Sequence, residues 1–99
     1  MKPKKNDKGK ARWRLLPLWI LEPVIRVLEN GAKKYGDFNW ELVVSEDRDR
    51  YYDALLRHLS AWQRGDKADK DSGLPTMAHI VCCAIFLLWH DLKYKRVAK

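Results

Sequence analysis

Two histidines and an aspartate around a polar loop are the residues of this sequence best suited to chemistry. His58 lies in YYDALLRHLSAWQRG, Asp69 in DKADKDSG and His79 in TMAHIVCC. Imidazole and carboxylate groups move protons and bind metal ions. If the segments that carry the histidines are helices packed antiparallel, all three side chains can meet near the loop. We therefore predict His58, His79 and Asp69 as the candidate catalytic residues.

The spacing of the carboxylates gives metal chemistry less support. Asp49 and Asp53 are one helical turn apart, which is more typical of a solvated helix face than of a metal site. The dipeptide His90-Asp91 lacks the further aspartate of metal-dependent His-Asp phosphohydrolases, and paired ExxE and ExxD boxes are absent. Mg²⁺ is therefore expected only if the protein hydrolyses its ligand, and the sequence assigns no metal ligands.

A second group of candidates is basic and aromatic. Residues 31–40, GAKKYGDFNW, combine lysines and glycines with tyrosine, asparagine and tryptophan. Cationic groups bind phosphate oxygens, aromatic rings stack on bases, and free N–H groups at a helix start favour anions. We predict a nucleotide-binding set made of Lys33, Lys34, Tyr35, Asn39, Trp40, Arg57, Trp62, Ser72 and Gly73. The alternatives are that the lysines simply face solvent and that His58 and Trp62 are core residues.

The net charge of +7 is concentrated at the two ends of the chain. Residues 1–14 hold seven Lys/Arg and one aspartate, and residues 93–99 hold four Lys/Arg, whereas residues 15–92 hold nine Lys/Arg and twelve Asp/Glu. A basic nucleic-acid-binding module is thus a second alternative that depends on the tails alone, with weak, salt-sensitive binding. We expect a basic disordered tail at 1–14 and a single all-α nucleotide-binding domain at 15–95.

The apolar stretches indicate a soluble protein of a reducing compartment. No apolar segment with a cleavage site follows the basic start, so no signal peptide is expected. The most apolar run, residues 78–89, is shorter than the roughly 20 residues that span a bilayer. Cys82 and Cys83 are adjacent within it, which suits packed, unreactive thiols. We expect a cytoplasmic protein that does not enter membranes.

Three helices must position these candidates. Apolar residues at helical spacing predict helix one at about 18–31, ended by Gly31. Helix two is expected after SEDRD and continues to Gly65, and helix three runs from Pro75 or Thr76 to about 93, near Lys95 and Arg96. Only ELVV, residues 41–44, is a candidate strand, and it has no partner.

The predicted fold class is all-α, with three main helices and long connecting loops. Helix three contains ten consecutive apolar residues from Ile80 to Trp89, which leave it no polar face. Two other helices cannot cover such a helix on all sides. We therefore expect a homo-oligomer that shares helix three and completes the fold.

Three segments in order carry a resemblance to a known family. They are GKARWRLLP, NGAKKYGDFNW and YYDALLRHLSAWQRGDKADKDSGLPTMAHIVCCAIFLL. The GAxKYGxxNW and RHLxAWxxG…D…SG…AH elements resemble the phage-associated dATP/dGTP diphosphohydrolase family in its N-terminal domain form, over about residues 9–92. The family pattern matches this chain at Gly31, Lys34, Tyr35, Gly36, Asn39, Trp40, Arg57, His58, Trp62, Gly65, Asp69, Ser72, Gly73 and His79.

The resemblance implies an all-α protein of an infected bacterium that binds a purine nucleotide, and hydrolysis of its phosphate chain is one expectation. One position departs from the pattern, because TMAH has Thr76 where the family usually reads His-Leu-Ala-His. This departure and the missing acidic boxes favour the alternative of a non-catalytic sponge that sequesters a nucleotide-derived immune signal of bacterial anti-phage defence. Whether the protein is an enzyme stays open at this point.

Overall fold

The computed structural model describes residues 2–43 and 47–94. Its three long helices are α1 (Glu22–Tyr35), α2 (Asp49–Gln63) and α3 (Thr76–Tyr94). Short 3₁₀ turns lie at Trp13–Leu15, Leu18–Leu21 and Asn39–Leu42. The described ranges contain no strand, and their one isolated bridge joins Ala68 to Pro75. The predicted all-α class with three helices is confirmed.

The end of α1 differs from the sequence prediction. The helix continues through Gly31 for four more residues and ends at Gly36, whose φ of 95° lies in the region that favours glycine. The Gly36 N–H donates to the Ala32 carbonyl at 2.7 Å and closes the last turn. Lys33, Lys34 and Tyr35 therefore lie on the last turn of a helix and not in a loop, because Gly36 and not Gly31 has the special backbone conformation.

The candidate strand ELVV is wrong where the structure describes it. Glu41 and Leu42 belong to the 3₁₀ turn, Val43 is extended, and Val44 lies outside the described residues. Two predicted helix-end signals also lie partly outside them: Ser45 and Glu46 before α2, and residues 95–99 after α3.

The core is built on α3, which packs against α1 on one side and α2 on the other. Val24, Ala78 and Cys82 are buried at the α1–α3 contact, and Cys83 is buried nearby. Partly buried residues of the same helices surround this small cluster: Leu21, Val27, Leu28, Val81 and Phe86. Because α1 and α2 both pack mainly against α3, a space lined by residues of all three helices lies between them.

Large apolar side chains of both α2 and α3 remain exposed. They include Met77, Ile85, Leu88 and Leu92 on α3, and Tyr52, Leu56 and Leu59 on α2. We call these seven residues the outer face. In length and composition α3 would also suffice to cross a bilayer, a test that core helices of soluble proteins pass as well. The predicted homo-oligomer stays a prediction.

Candidate functional site

The loop between α2 and α3 is held by hydrogen bonds among its own residues. Asp69 accepts the N–H groups of Asp71 and Ser72 on its Oδ2, at 3.1 and 2.9 Å. Its N–H donates to the Leu74 carbonyl, and the Gly73 N–H donates to the Asp69 carbonyl, both at 2.8 Å. Thr76 closes the loop, because its buried hydroxyl donates to the Asp66 carbonyl at 2.7 Å. The loop is thus a fixed platform between the two helices.

This platform brings the two predicted histidines together. The rings of His58 and His79 stack with centroids 4.8 Å apart and planes 25° apart. Asp69 faces both: its Oδ1 is 4.0 Å from His58 Nδ1, and its Oδ2 is 3.9 Å from His79 Nε2. The Ser72 hydroxyl lies 2.8 Å from the same Nε2. We call His58, Asp69, Ser72 and His79 the histidine cluster.

The charge state of the cluster follows from its surroundings. Burial lowers the pKa of His79, and the nearby positive charges of His58 and Lys34 act in the same direction, together outweighing the opposite effect of Asp69. Burial works to raise the pKa of Asp69, but the N–H and hydroxyl of Ser72, the charge of His79 and the N–H of Asp71 outweigh it and leave that pKa below its ordinary value. The cluster therefore pairs an aspartate that stays ionised with a histidine that is neutral at pH 7.

The cluster does not have the donor set that Mg²⁺ prefers. Mg²⁺ is bound through oxygen ligands in octahedral geometry. The cluster has one carboxylate, and the Oδ2 of that group already accepts two backbone N–H groups. Across residues 2–43 and 47–94, no three His, Cys, Asp or Glu side chains are arranged to hold a metal ion. The described residues thus do not fit a Mg²⁺ ion.

An open groove of about 660 Å³ starts at Ser72 and runs along α1. Lys33 lines it, so one predicted lysine shares a surface with the cluster. The other lining residues are Arg26, Glu29, Asn30, Ala32, Asp37 and Leu74. Arg26, Glu29 and Asp37 were not among the residues predicted from the sequence. The sequence feature that could have indicated the groove is the recurrence of polar residues at positions 26, 29, 30 and 33 of one helix. The same pattern is equally typical of a solvated helix face on which Arg26 pairs with glutamates.

A second cavity, of about 560 Å³, lies between α1, the segment 36–43 and α3. Three predicted residues line it: Tyr35, Asn39 and Trp40. Most other lining side chains are apolar or aromatic, including Ile25, Leu28, Phe38, Cys82 and Phe86, with Arg50 and Tyr51 added from α2. Glu29, Ala32 and Asp37 line both this cavity and the groove. The two spaces therefore adjoin.

Trp40 is held in place by α2 and α3. Its ring stacks on Phe86 at 4.7 Å and meets Trp89 edge-on at 5.2 Å. Its carbonyl accepts the Tyr51 hydroxyl at 3.2 Å and contacts Nε2 of the buried His90 at 3.4 Å. Trp40 thus forms part of the cavity wall, and one of its faces is already covered by Phe86.

The remaining predicted residues lie apart from these spaces. Arg57 and Trp62 are exposed on α2, and neither lines the groove or the cavity. Lys34 acts on His79 through its charge. The N–H groups of Ser72 and Gly73 are already bonded to Asp69, so an anion there would meet the Ser72 hydroxyl and side-chain cations instead of the free amides expected from the sequence.

Comparisons with known proteins give the family. The model of "dATP/dGTP diphosphohydrolase, N-terminal" matches residues 2–99. A protein of Salmonella phage PMBT28 with the name dATP/dGTP diphosphohydrolase is 35% identical over 85 residues. That match covers 86% of this chain and 28% of the relative, so the chain spans less than a third of the relative's length. No solved structure matches significantly. The chain belongs to the dATP/dGTP diphosphohydrolase family and corresponds to its N-terminal domain.

Proposed function

We propose that this domain binds a purine deoxynucleotide along the path from the histidine cluster to the aromatic cavity. The observation that carries the proposal is the continuity of that path. Ser72 belongs to both the cluster and the groove, and the groove shares Glu29, Ala32 and Asp37 with the cavity. A nucleotide has the matching order of parts, with anionic phosphates at one end and a flat base at the other.

The phosphate end is assigned to the cluster and the lysines. Lys33 lines the groove, and Lys34 and the two imidazoles add positive charge or hydrogen-bond donors beside Ser72. The base is assigned to the cavity, where Tyr35 offers an exposed ring and Asn39 offers both a donor and an acceptor. A mostly apolar cavity with a few polar groups is the usual form of a small-molecule site.

Hydrolysis of the phosphate chain is a further part of this proposal. A neutral His79 can donate its Nε2–H to the Ser72 Oγ and accept, at Nδ1, the proton of a water that attacks a phosphorus atom of the chain. As the new P–O bond forms, the P–O bond to the departing phosphate group breaks, and that group leaves with the electron pair. Asp69 then stabilises the imidazolium that forms. These steps use only the residues of this chain and no metal ion.

The sponge is the second candidate, and one observation favours it. The Asp69 carboxylate holds the loop through two backbone N–H groups, which is a structural task that leaves it poorly placed to activate water. In this alternative the same path holds a nucleotide-derived defence signal in the cytoplasm of an infected bacterium and releases it unchanged.

Calorimetric titration with dATP, dGTP and the bare deoxynucleosides tests the site. We expect Lys33→Ala and Lys34→Ala to weaken nucleotide binding by about 10- to 150-fold, as for a lost charge-assisted bond of roughly 1.5–3 kcal/mol, and to leave nucleoside binding nearly unchanged. Lys70→Ala is the matched control, since Lys70 is exposed in the α2–α3 loop and lines neither space. Equal effects of all three substitutions would contradict the proposed phosphate end.

A product assay separates hydrolysis from sequestration. The protein is incubated with each ligand, denatured, and the supernatant is analysed for intact ligand and product. Turnover that His79→Gln abolishes while binding persists supports the hydrolase. Full recovery of intact ligand supports the sponge.

A further inference from the structure

The geometry of the histidine cluster points to a specific ligand group. We infer that the stacked His58–His79 pair recognises a terminal phosphate, a phosphomonoester, and takes up a proton when that phosphate binds. This inference rests on the proposed function, because it assigns the phosphate end of the nucleotide to the cluster. It adds the chemical class of phosphate that is selected and a proton that accompanies binding.

Without ligand, the charge of the histidine pair is set by its neighbours. His79 faces Lys34 from α1, His58 from α2, and Asp69 and Ser72 from the loop. His58 faces the same aspartate at 4.0 Å and the His79 ring at 4.8 Å. Two imidazolium charges at that separation repel each other, and a single carboxylate shared between them offsets only one. The free pair therefore does not hold two protons at neutral pH.

A terminal phosphate changes the balance of charge around the pair. A phosphomonoester carries about two negative charges at pH 7 and has three acceptor oxygens. Placed beside the pair, it supplies the negative charge that the second imidazolium lacks, so binding favours protonation of the rings. A phosphodiester carries one negative charge and has two free oxygens. It offsets less charge and leaves one donor of the cluster without a partner.

A phosphate must also be able to reach the two rings. The side chains of His58 and His79 keep 26% and 14% of their surface exposed, so both are largely covered by neighbours and still partly accessible. Ser72 contacts His79 and also lines the groove, so it connects the cluster to the groove. A terminal group can enter from the groove end-on. A phosphate within a closed ring or a chain would have to bring its second ester substituent into the same narrow space.

The test compares two ligands that differ only in this group. Wild-type protein is titrated calorimetrically with deoxyguanosine 5′-monophosphate and with the 3′,5′-cyclic monophosphate of the same nucleoside, and deoxyadenosine gives a second pair. At pH 7.5, buffers of different ionisation enthalpy report the number of protons taken up. We expect about half to one proton for the monophosphate and none for the cyclic ligand. As pH rises, the affinity for the monophosphate should fall by up to about tenfold per pH unit, because protonation of the rings becomes less favourable.

Variants locate the proton. His79→Gln and His58→Gln should each abolish proton uptake and the steep pH dependence, whereas Lys70→Ala should leave both unchanged. The wild-type measurement decides even if a histidine variant fails to fold. Equal affinity for both ligands without proton uptake would overturn the inference and leave the proposed function intact. Tighter binding of the cyclic ligand would also overturn it. Failure of every nucleotide to bind would overturn both.

Discussion

Thr76 stabilises the fold at a position where the family pattern has a potentially catalytic histidine. It stands where that pattern usually has histidine, and it is almost completely buried. Its hydroxyl donates to the Asp66 carbonyl, and its N–H donates to the Lys67 carbonyl at 3.0 Å. We expect Thr76→Val to lower the free energy of unfolding by about 1–3 kcal/mol, because the Asp66 carbonyl loses its donor.

Urea denaturation measures this change, and Thr76→Ser is the control. Serine keeps the hydroxyl and loses one methyl group, so it should cost roughly 0.8 kcal/mol. Nucleotide binding by the folded Thr76→Val protein should equal that of wild type. A loss of binding without a loss of stability would show that Thr76 contacts the ligand.

Two groups of the histidine cluster, His79 and Asp69, predict how stability depends on pH. The folded-state pKa of His79 is lowered from 6.5, so the unfolded chain binds that proton more readily and stability falls as pH drops below about 6.5. The folded-state pKa of Asp69 is lowered from 3.8, so its contribution is present above that value and is lost as pH falls further. Urea denaturation from pH 8 to 3 should show both losses. His79→Gln should remove the first alone.

At the scale of elements, the two glycines of α1 make a matched pair. Gly36 has a φ of 95° and Gly31 is helical, and an added Cβ meets no atom within 4 Å at either position. We therefore expect Gly36→Ala to destabilise the protein by about 1–3 kcal/mol through backbone strain. Gly31→Ala should stabilise it by roughly 0.4–1 kcal/mol, since alanine favours the helix. Thermal and urea denaturation compare the two, and opposite signs are required.

The same pair shows where prediction from sequence reached its limit. Hydrophobic spacing was sufficient for three helices, but a glycine inside a helix and a glycine that ends one look alike until the backbone angle is known. Likewise, His58, Asp69 and His79 could be chosen by type and position. The role of Trp40 as a wall of the cavity depends on contacts with Phe86 and Trp89, some fifty residues away, which local patterns do not encode.

For the whole molecule, the outer face predicts self-association. Soluble monomers rarely expose a contiguous apolar patch of more than a few hundred Å². Leu88, 55% exposed, belongs to this face together with exposed apolar residues of both α2 and α3. A second copy presents the same uncharged two-helix surface, so the face can cover itself across a two-fold axis. We expect a dimer that Leu88→Lys converts to a folded monomer. Ile85→Lys, at a less exposed position, should have the same effect.

Light scattering at micromolar concentration measures the association. Leu42→Lys is the matched control, because Leu42 is 76% exposed outside the outer face. A soluble wild-type monomer, or a protein that floats with lipid vesicles in place of forming dimers, would contradict this prediction.

The basic start of the chain leads to a separate prediction for polyanions. Residues 2–10 are exposed and carry five lysines and one aspartate. Deleting them should abolish any binding to DNA and leave nucleotide affinity unchanged, since the groove and the cavity use none of these residues. Titrations of DNA at rising salt should show a steep loss for the full chain. A tenfold loss of nucleotide affinity would place this segment at the site.

The adjacent cysteines of α3 allow the motions of the domain to be timed. Burial raises the pKa of Cys82 to about 12 and that of Cys83 to about 11, so neither is a thiolate in the folded protein at neutral pH. An alkylating reagent can react only when the helices separate, and its rate then reports the frequency of opening. Cys82 also lines the cavity, whereas Cys83 does not. If the thiols are exposed by opening of the whole core, a ligand bound in the cavity should slow the alkylation of both. If only the cavity opens, the ligand should slow the alkylation of Cys82 alone.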